Sequence, residues 1–260
     1  MATEFTGSGD PRRSIELLWG LQERGRRGPK PRLSAAEIVR AAIALADAEG
    51  LAAVSMRRLA ETLGVSPMAL YTYVPSKAEL IDVMLDRAWG EAADPDDAMA
   101  GWRERLAFIA RQRWALGQRH PWMLQIATHR PPLGPNVVAK FEAAFRAVDG
   151  LGLSAIEMEL LVALVTDYVR GAVRSALDAR EVERWSGITD AQWWALNEPV
   201  LKGVFDPAQF PLTVRVGDEL RESKGTAYDP AASFEFGLQR VLDGIETFIA
   251  AHARPGLRTA

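Results

Sequence analysis

Apolar positions recur along most of this chain at spacings of three and four, which puts side chains on one face of an α-helix. Met56, Leu59, Ala60 and Leu63 fall at i, i+3, i+4 and i+7 and predict a short helix with one buried face. Gly64 stops it, because glycine takes the left-handed conformation at a helix end cheaply. Ser66 supplies an N-cap, and Pro67 stands at the first position of a second short helix, where its missing N–H costs nothing. Helix, glycine turn and helix make a helix-turn-helix. In the second helix Leu70 and Val74 lie nearly in line and point inward. Met68, Ala69 and Thr72 occupy the far side, with Tyr71 and Tyr73 flanking.

The same reading extends in both directions. Ser34 and Glu37 form an S-x-x-E capping box, opening a helix with Ile38, Ala41, Ala42 and Leu45 inward and Gly50 at its end. Ser55 caps the helix of Met56. Ser76 and Glu79 predict another capping box, ahead of a helix with Leu80, Ile81, Met84, Leu85 and Ala88 apolar. The acidic stretch from Glu91 to Asp97 breaks the period and marks a domain boundary. Beyond it, Trp102, Leu106, Ile109 and Leu116 mark one helix, Pro121 starts a short one, and Asn136 caps another after the proline-rich loop 131–135. Ser154 and Glu157 open the longest helix, apolar on nearly all sides from Leu160 to Val173, so more than one side must be buried. Residues 190–205 predict a helix bent at Pro199, 206–229 a mobile loop, and the stripe from Phe234 to Ile249 a final helix. Gly237 and Gly244, seven apart on that helix, would let another helix approach closely. The fold class is all-α, an N-terminal three-helix helix-turn-helix domain with a larger α-helical domain. The expected division is a flexible extension over 1–32, a helix-turn-helix domain over 33–93 and a helical ligand-binding and dimerisation domain over 94–260.

Charge sharpens this picture more than composition does. The 260 residues carry a net charge of −3, so nucleic-acid binding must rest on local charge. Arg24 to Arg32 holds five basic residues and no acid among Gly and Pro, either a solvated linker or a basic arm able to reach phosphates. The outer face of the second short helix carries no acid, which would repel phosphates, and so fits a major groove; an ordinary packed helix pair is the alternative. Arg57 and Arg58 stand in a first helical turn, where the helix dipole disfavours cations unless an anion such as a phosphate is near. There is no cysteine, hence no disulfide or thiolate metal site. With Glu4 and Asp10, the N-terminus does not read as a signal peptide, and the aliphatic run Leu160 to Val165 is too short to span a bilayer. A cytoplasmic protein without membrane contact is expected.

Residues 34 to 89 resemble the DNA-binding domain of the tetracycline-repressor (TetR) family of bacterial regulators. The matching stretches include Leu33 to Ile38, Met56 to Ala60, Leu63-Gly64-Val65-Ser66, Leu70-Tyr71-Thr72-Tyr73-Val74 and Lys77-Ala78-Glu79-Leu80. The resemblance implies a homodimeric repressor that reads a palindromic DNA operator and is released by a small-molecule inducer. It makes Arg57, Pro67, Met68, Ala69, Thr72 and Tyr73 candidate base-edge contacts, and Ser55, Tyr71 and Lys77 candidate phosphate contacts. Dimerisation through the Ser154 helix and the last helix is expected by the same likeness.

An apolar or aromatic inducer is expected by analogy, in a cavity with Trp114, Trp122, Met123, Phe141, Tyr168 and Trp193 as candidate lining. Asp167, a lone acid in an apolar stripe, is a polar handle in that pocket, a salt-bridge partner or a solvent-edge residue. Only His120, His129 and His252 are present, with no closely spaced pair, so neither a metal site nor a magnesium-dependent ligand is expected, and no cofactor. Two other readings stay open. One is a DNA-binding dimer blind to ligand; the other is an all-helical enzyme using Asp167 and a histidine, although no nucleophile–base spacing or phosphate loop supports it.

Overall fold

The computed structural model describes residues 4–21, 33–224 and 229–252; the basic stretch from Arg24 to Arg32 lies outside them. The described residues are helical apart from turns, loops and one pair of two-residue strands, β1 (Glu4–Phe5) and β2 (Ile126–Ala127). Helix α1 (Pro11–Leu18) starts at Asp10, whose carboxylate accepts the N–H groups of Arg12 and Arg13. Helix α2 (Ala35–Glu49) carries the Ser34–Glu37 capping box in full. Helices α3 (Met56–Leu63) and α4 (Pro67–Tyr71) are joined at Gly64, which is left-handed with φ +65°. Helix α5 (Lys77–Trp89) then leads away from the reader.

Helices α2 to α5 share one hydrophobic core. Ile38, Leu59, Leu70, Val74, Leu80 and Met84 have no exposed surface within it. Burying a side chain of this size contributes about 1.5–3 kcal/mol. Trp122 and Ile126 of the larger domain enter the same core, so the two parts are packed together.

A second core is built by α6 (Gly101–Arg119), α7 (Pro135–Val148), α8 (Ala155–Ser186) and α11 (Pro230–His252). Helix α8 opens on the Ser154–Glu157 capping box, which holds the Glu157 carboxyl down to about 2. Its thirty-two residues run for about 48 Å. Along the rim Arg103 pairs with Asp243 at 2.6 Å and Arg111 with Glu235, clasping α6 to α11. Exposed pairs of this kind contribute about 1 kcal/mol or less.

Helices α9 (Asp190–Val204) and α10 (Pro211–Lys224) follow α8, and α9 buries no side chain. The loop expected over 206–229 is therefore corrected. Leu212, Val216 and Leu220 keep a spacing of four through its mixed charge, and α10 forms on that period. Asn136 does not cap α7. The cap position is Gly134, and the Asp86 carboxylate of α5 accepts the Val137 N–H at 2.9 Å in place of a local side chain. Gly237 faces Tyr168 of the same chain, whose hydroxyl would clash with an added Cβ, whereas Gly244 faces open space.

The described part of the expected N-terminal extension is docked. Glu4 and Phe5 pair in parallel with Ile126 and Ala127. The Gly7 N–H donates to Asp82 at 3.1 Å, the Asp10 N–H to Glu79 at 3.0 Å, and the Ser14 hydroxyl to Asp82 at 3.0 Å. Glu79 and Asp82 are buried beneath this segment, so the predicted capping partner of Ser76 has its other carboxylate oxygen committed to Asp10. Residues 4–18 thus form a strap from β2 to α5.

Candidate DNA-reading face and ligand cavity

The short helix α4 is set by what surrounds it. Leu70 and Val74 anchor it to the core, and the Ser66 hydroxyl accepts the Ala69 N–H. Its outer surface is then Pro67, Met68, Tyr71 and Thr72, all exposed, with Ala69 and Tyr73 half-buried at the edges. Met68 is 74% exposed, a large apolar side chain that none of the described residues covers. An exposed, acid-free helix carrying apolar and hydroxylic side chains suits contacts to base edges and thymine methyls.

Two candidate phosphate contacts flank this helix. Ser55 is exposed at the start of α3, its hydroxyl already accepting the Arg58 N–H at 3.2 Å. Lys77 opens α5, and its ammonium pairs with Glu4 of the strap at 2.8 Å. Arg57 is exposed and pairs along its own helix with Glu61 at 3.1 Å, while Arg58 reaches Glu49 of α2. Such exposed pairs are weak and leave the cations available to a polyanion.

The larger domain holds a cavity of about 900 Å³. It lies between the end of α5, the C-terminal part of α6, residues 123–132, α7 and α8 from Glu159 to Arg174. Trp89, at the far end of α5 from Lys77, forms part of its wall. Across the floor α6 and α8 close up at Gly117, where a Cβ would come within 2.8 Å of Val173.

Of the residues proposed from sequence, Met123, Phe141 and Asp167 lie in this wall. Four others lie outside it, each for a packing reason. Trp114 stacks on Phe234 of α11 with ring centroids 4.3 Å apart. Trp122 is buried in the reader core, its indole N–H donating to Asp47 at 2.7 Å. Tyr168 turns toward α11 and donates to the Phe234 carbonyl at 2.6 Å. Trp193 sits on α9, edge-on to Trp194.

The polar part of the wall was not anticipated. Arg113 of α6 is 9% exposed and donates to the Thr166 hydroxyl of α8. Its guanidinium lies 5.4 Å from the centre of the Trp89 ring. Among the described residues no carboxylate pairs with it, and burial alone brings it down from the ordinary arginine value to about 10. Position 113 is four after Ile109 and three before Leu116, inside the apolar stripe of its helix. That cation in a core stripe was the signal available in the sequence.

His120 makes a second junction between the domains. One ring nitrogen lies 2.7 Å from Asp47 of α2 and the other 3.0 Å from Glu91, just past the end of α5. His129 lines the cavity, and His252 lies 2.7 Å from Glu157. No group of three or more His, Asp or Glu among the described residues is arranged to hold a metal ion. No helix among them is long and apolar enough to cross a membrane.

Comparison with known proteins adds to this geometry. Residues 38–84 match the family described as bacterial regulatory proteins, tetR family. Residues 94–249 match the tetracyclin repressor-like C-terminal domain. The chain is 42% identical over 250 residues to the HTH-type transcriptional repressor DrrR1 of Streptomyces coeruleorubidus, covering 96% of this chain and 90% of that one. The fold is similar to the crystal structure of apo ActR from Streptomyces coelicolor, with a TM-score of 0.71 and 25% identity over 86% of this chain and all of that one. ActR in complex with actinorhodin gives a TM-score of 0.67 at 25% identity, covering 82% of this chain and 95% of that one.

Proposed function

The chain belongs to the tetracycline-repressor family of DNA-binding transcriptional regulators, and on that premise we propose that it is a homodimeric repressor released from its operator by a small molecule. Residues 33–93 are the DNA-reading unit and 94–260 the sensing and dimerising unit. Because its target is operator DNA, the protein works in the cytoplasm.

One observation carries this reading. Helix α5 has Lys77 beside the reading helix at one end and Trp89 in the cavity wall at the other, about 20 Å away. A ligand that moves Trp89 tilts the element on which the reader is mounted. It can favour the released state only by as much as its affinity differs between the two states. The similarity to the repressor DrrR1 supports repression, and the complex of ActR with actinorhodin supports a response to a small molecule.

A second copy is needed for a palindromic operator, because two-fold symmetry in the protein matches that of the DNA. The outward side of α8 exposes Ile156, Leu160 and Leu164 at successive spacings of four, and α11 exposes Phe248. A self-complementary face of this kind suits a four-helix interface around a two-fold axis.

The test is binding of the purified protein to the DNA upstream of its own gene across a salt series. Selective binding is expected, with Tyr71→Ala and Lys77→Ala each weakening it and Lys77→Ala lowering the salt slope by about two, one for each protomer. Unchanged affinity in both variants at matched salt would overturn the reader assignment. If random-sequence selection also returned no preferred site, the regulator reading itself would fall.

A further inference from the structure

From the buried, carboxylate-free guanidinium of Arg113 in the cavity wall, we infer that the ligand of this protein is a ring compound carrying an anionic group, its charge seated against Arg113. The inference rests on the cavity being the effector site, as proposed above, and goes beyond it to the chemistry of the ligand.

A cation taken out of water is expensive unless an opposite charge and hydrogen bonds replace its hydration. Among the described residues Arg113 meets one neutral hydroxyl, that of Thr166, and the face of Trp89. Thr166 does not need it, because its hydroxyl is already bonded to the Val162 carbonyl at 2.7 Å. The apolar stripe of α6 would accept methionine or leucine at this position. A guanidinium offers five N–H donors in a fixed fork, matched to a carboxylate or similar oxyanion.

Charge around the cavity is unbalanced toward the positive. Four cationic side chains line it, Arg113, Lys140, Arg170 and Arg174, against two acids, Glu159 and Asp167. Lys140 is neutralised by Asp94 at 2.7 Å. Arg170 and Arg174 bond to neutral oxygens, the Thr128 hydroxyl and the Leu124 carbonyl. Three cations then face two acids, and the most buried of the cations has no acid of its own. The rest of the wall supplies the complement to a ring system through Trp89, Met123, Phe141 and Phe145.

The experiment compares two probes of one shape, 9-anthracenecarboxylate and its neutral carboxamide, titrated calorimetrically into the full-length protein at pH 7.5. Wild type is expected to prefer the carboxylate by at least about ten-fold. Arg113→Gln should erase that preference while leaving carboxamide affinity within about two-fold. Arg113→Lys should keep part of it. The thermal midpoint supplies a readout that a merely structural arginine would not give. Arg113→Met should melt higher than wild type without ligand, because a buried unpaired charge has been removed, and should gain nothing from the carboxylate.

Equal affinity for the two probes, no binding of the carboxylate to wild type, or a preference that survives Arg113→Gln would each overturn the inference. So would a lower melting point in Arg113→Met. Operator binding by the same preparations separates the two levels. Intact operator binding beside any of these results would remove the anionic ligand and leave the regulator standing.

Discussion

Asp82 shows how much a single carboxylate on α5 has been asked to do. It accepts the Gly7 N–H and the Ser14 hydroxyl, and burial beneath the strap pushes its pKa up despite those bonds. A carboxyl with a raised folded value binds its proton more tightly in the native state, so its contribution is fullest below the unfolded value and is lost as pH rises through the folded one. Asp82→Asn keeps both bonds, accepting from Gly7 through its carbonyl and donating to Ser14 through its amide. The variant should therefore gain on wild type between about pH 4 and pH 7 and be at least as stable at neutrality. Thermal melts of the two proteins over that range check it, and a widening deficit of the variant toward neutral pH would refute the assignment. At this scale the sequence is readable only in part. The apolar periodicity shows that position 113 falls in a buried stripe, but aromatic composition does not show which way a ring turns. Trp114 and Tyr168 turn to α11, while Phe141 turns to the cavity.

At the scale of elements, several helix starts were legible from their side-chain caps, whereas the Asp10 cap of α1 was not read and Ser76 accepts the Ala78 N–H without closing the expected box with Glu79. Ser34, Ser55, Ser66 and Ser154 each bond the backbone as their spacing predicts. The strap was not legible, because its partners are acids. Glu79, Asp82 and Asp86 lie within one narrow arc of α5, and in a sequence such a stripe reads as a solvated face. All three are buried because backbone N–H groups of Asp10, Gly7 and Val137 meet them from distant segments. The strap also carries a competitor for DNA, since Glu4 occupies the Lys77 ammonium that opens α5. Glu4→Gln should tighten operator binding by roughly two- to five-fold, the scale of an exposed ion pair. It should also steepen the salt dependence by about one released counterion per protomer. A fluorescence-anisotropy titration against salt reads both, and no change in either would separate the strap from DNA affinity.

Over the whole molecule, two apolar cores meet where α5 and the segment from Trp122 to Ile126 join the reader to the larger domain. The all-helical architecture followed from periodicity, but the helical character of 211–224 did not, because mixed charge and flanking prolines conceal its four-residue period. The outward side of α8 decides the assembly. Leu160→Glu with Leu164→Glu sets four like charges around the expected two-fold axis, so the variant should sediment as a monomer and lose most of its operator affinity. Sedimentation velocity checks this, and a variant that remains dimeric would move the interface elsewhere. The strap has one more consequence, for anyone who treats such regulators as interchangeable parts. It lies outside both family-matched stretches, 38–84 and 94–249, yet it touches the cavity wall through β2 and the reader through α5. A chimaera that grafts a foreign reading head onto this sensor, cut at the family boundaries, would inherit both modules and lose this one of the ties between them. A biosensor built from this chain therefore has three pieces to carry across.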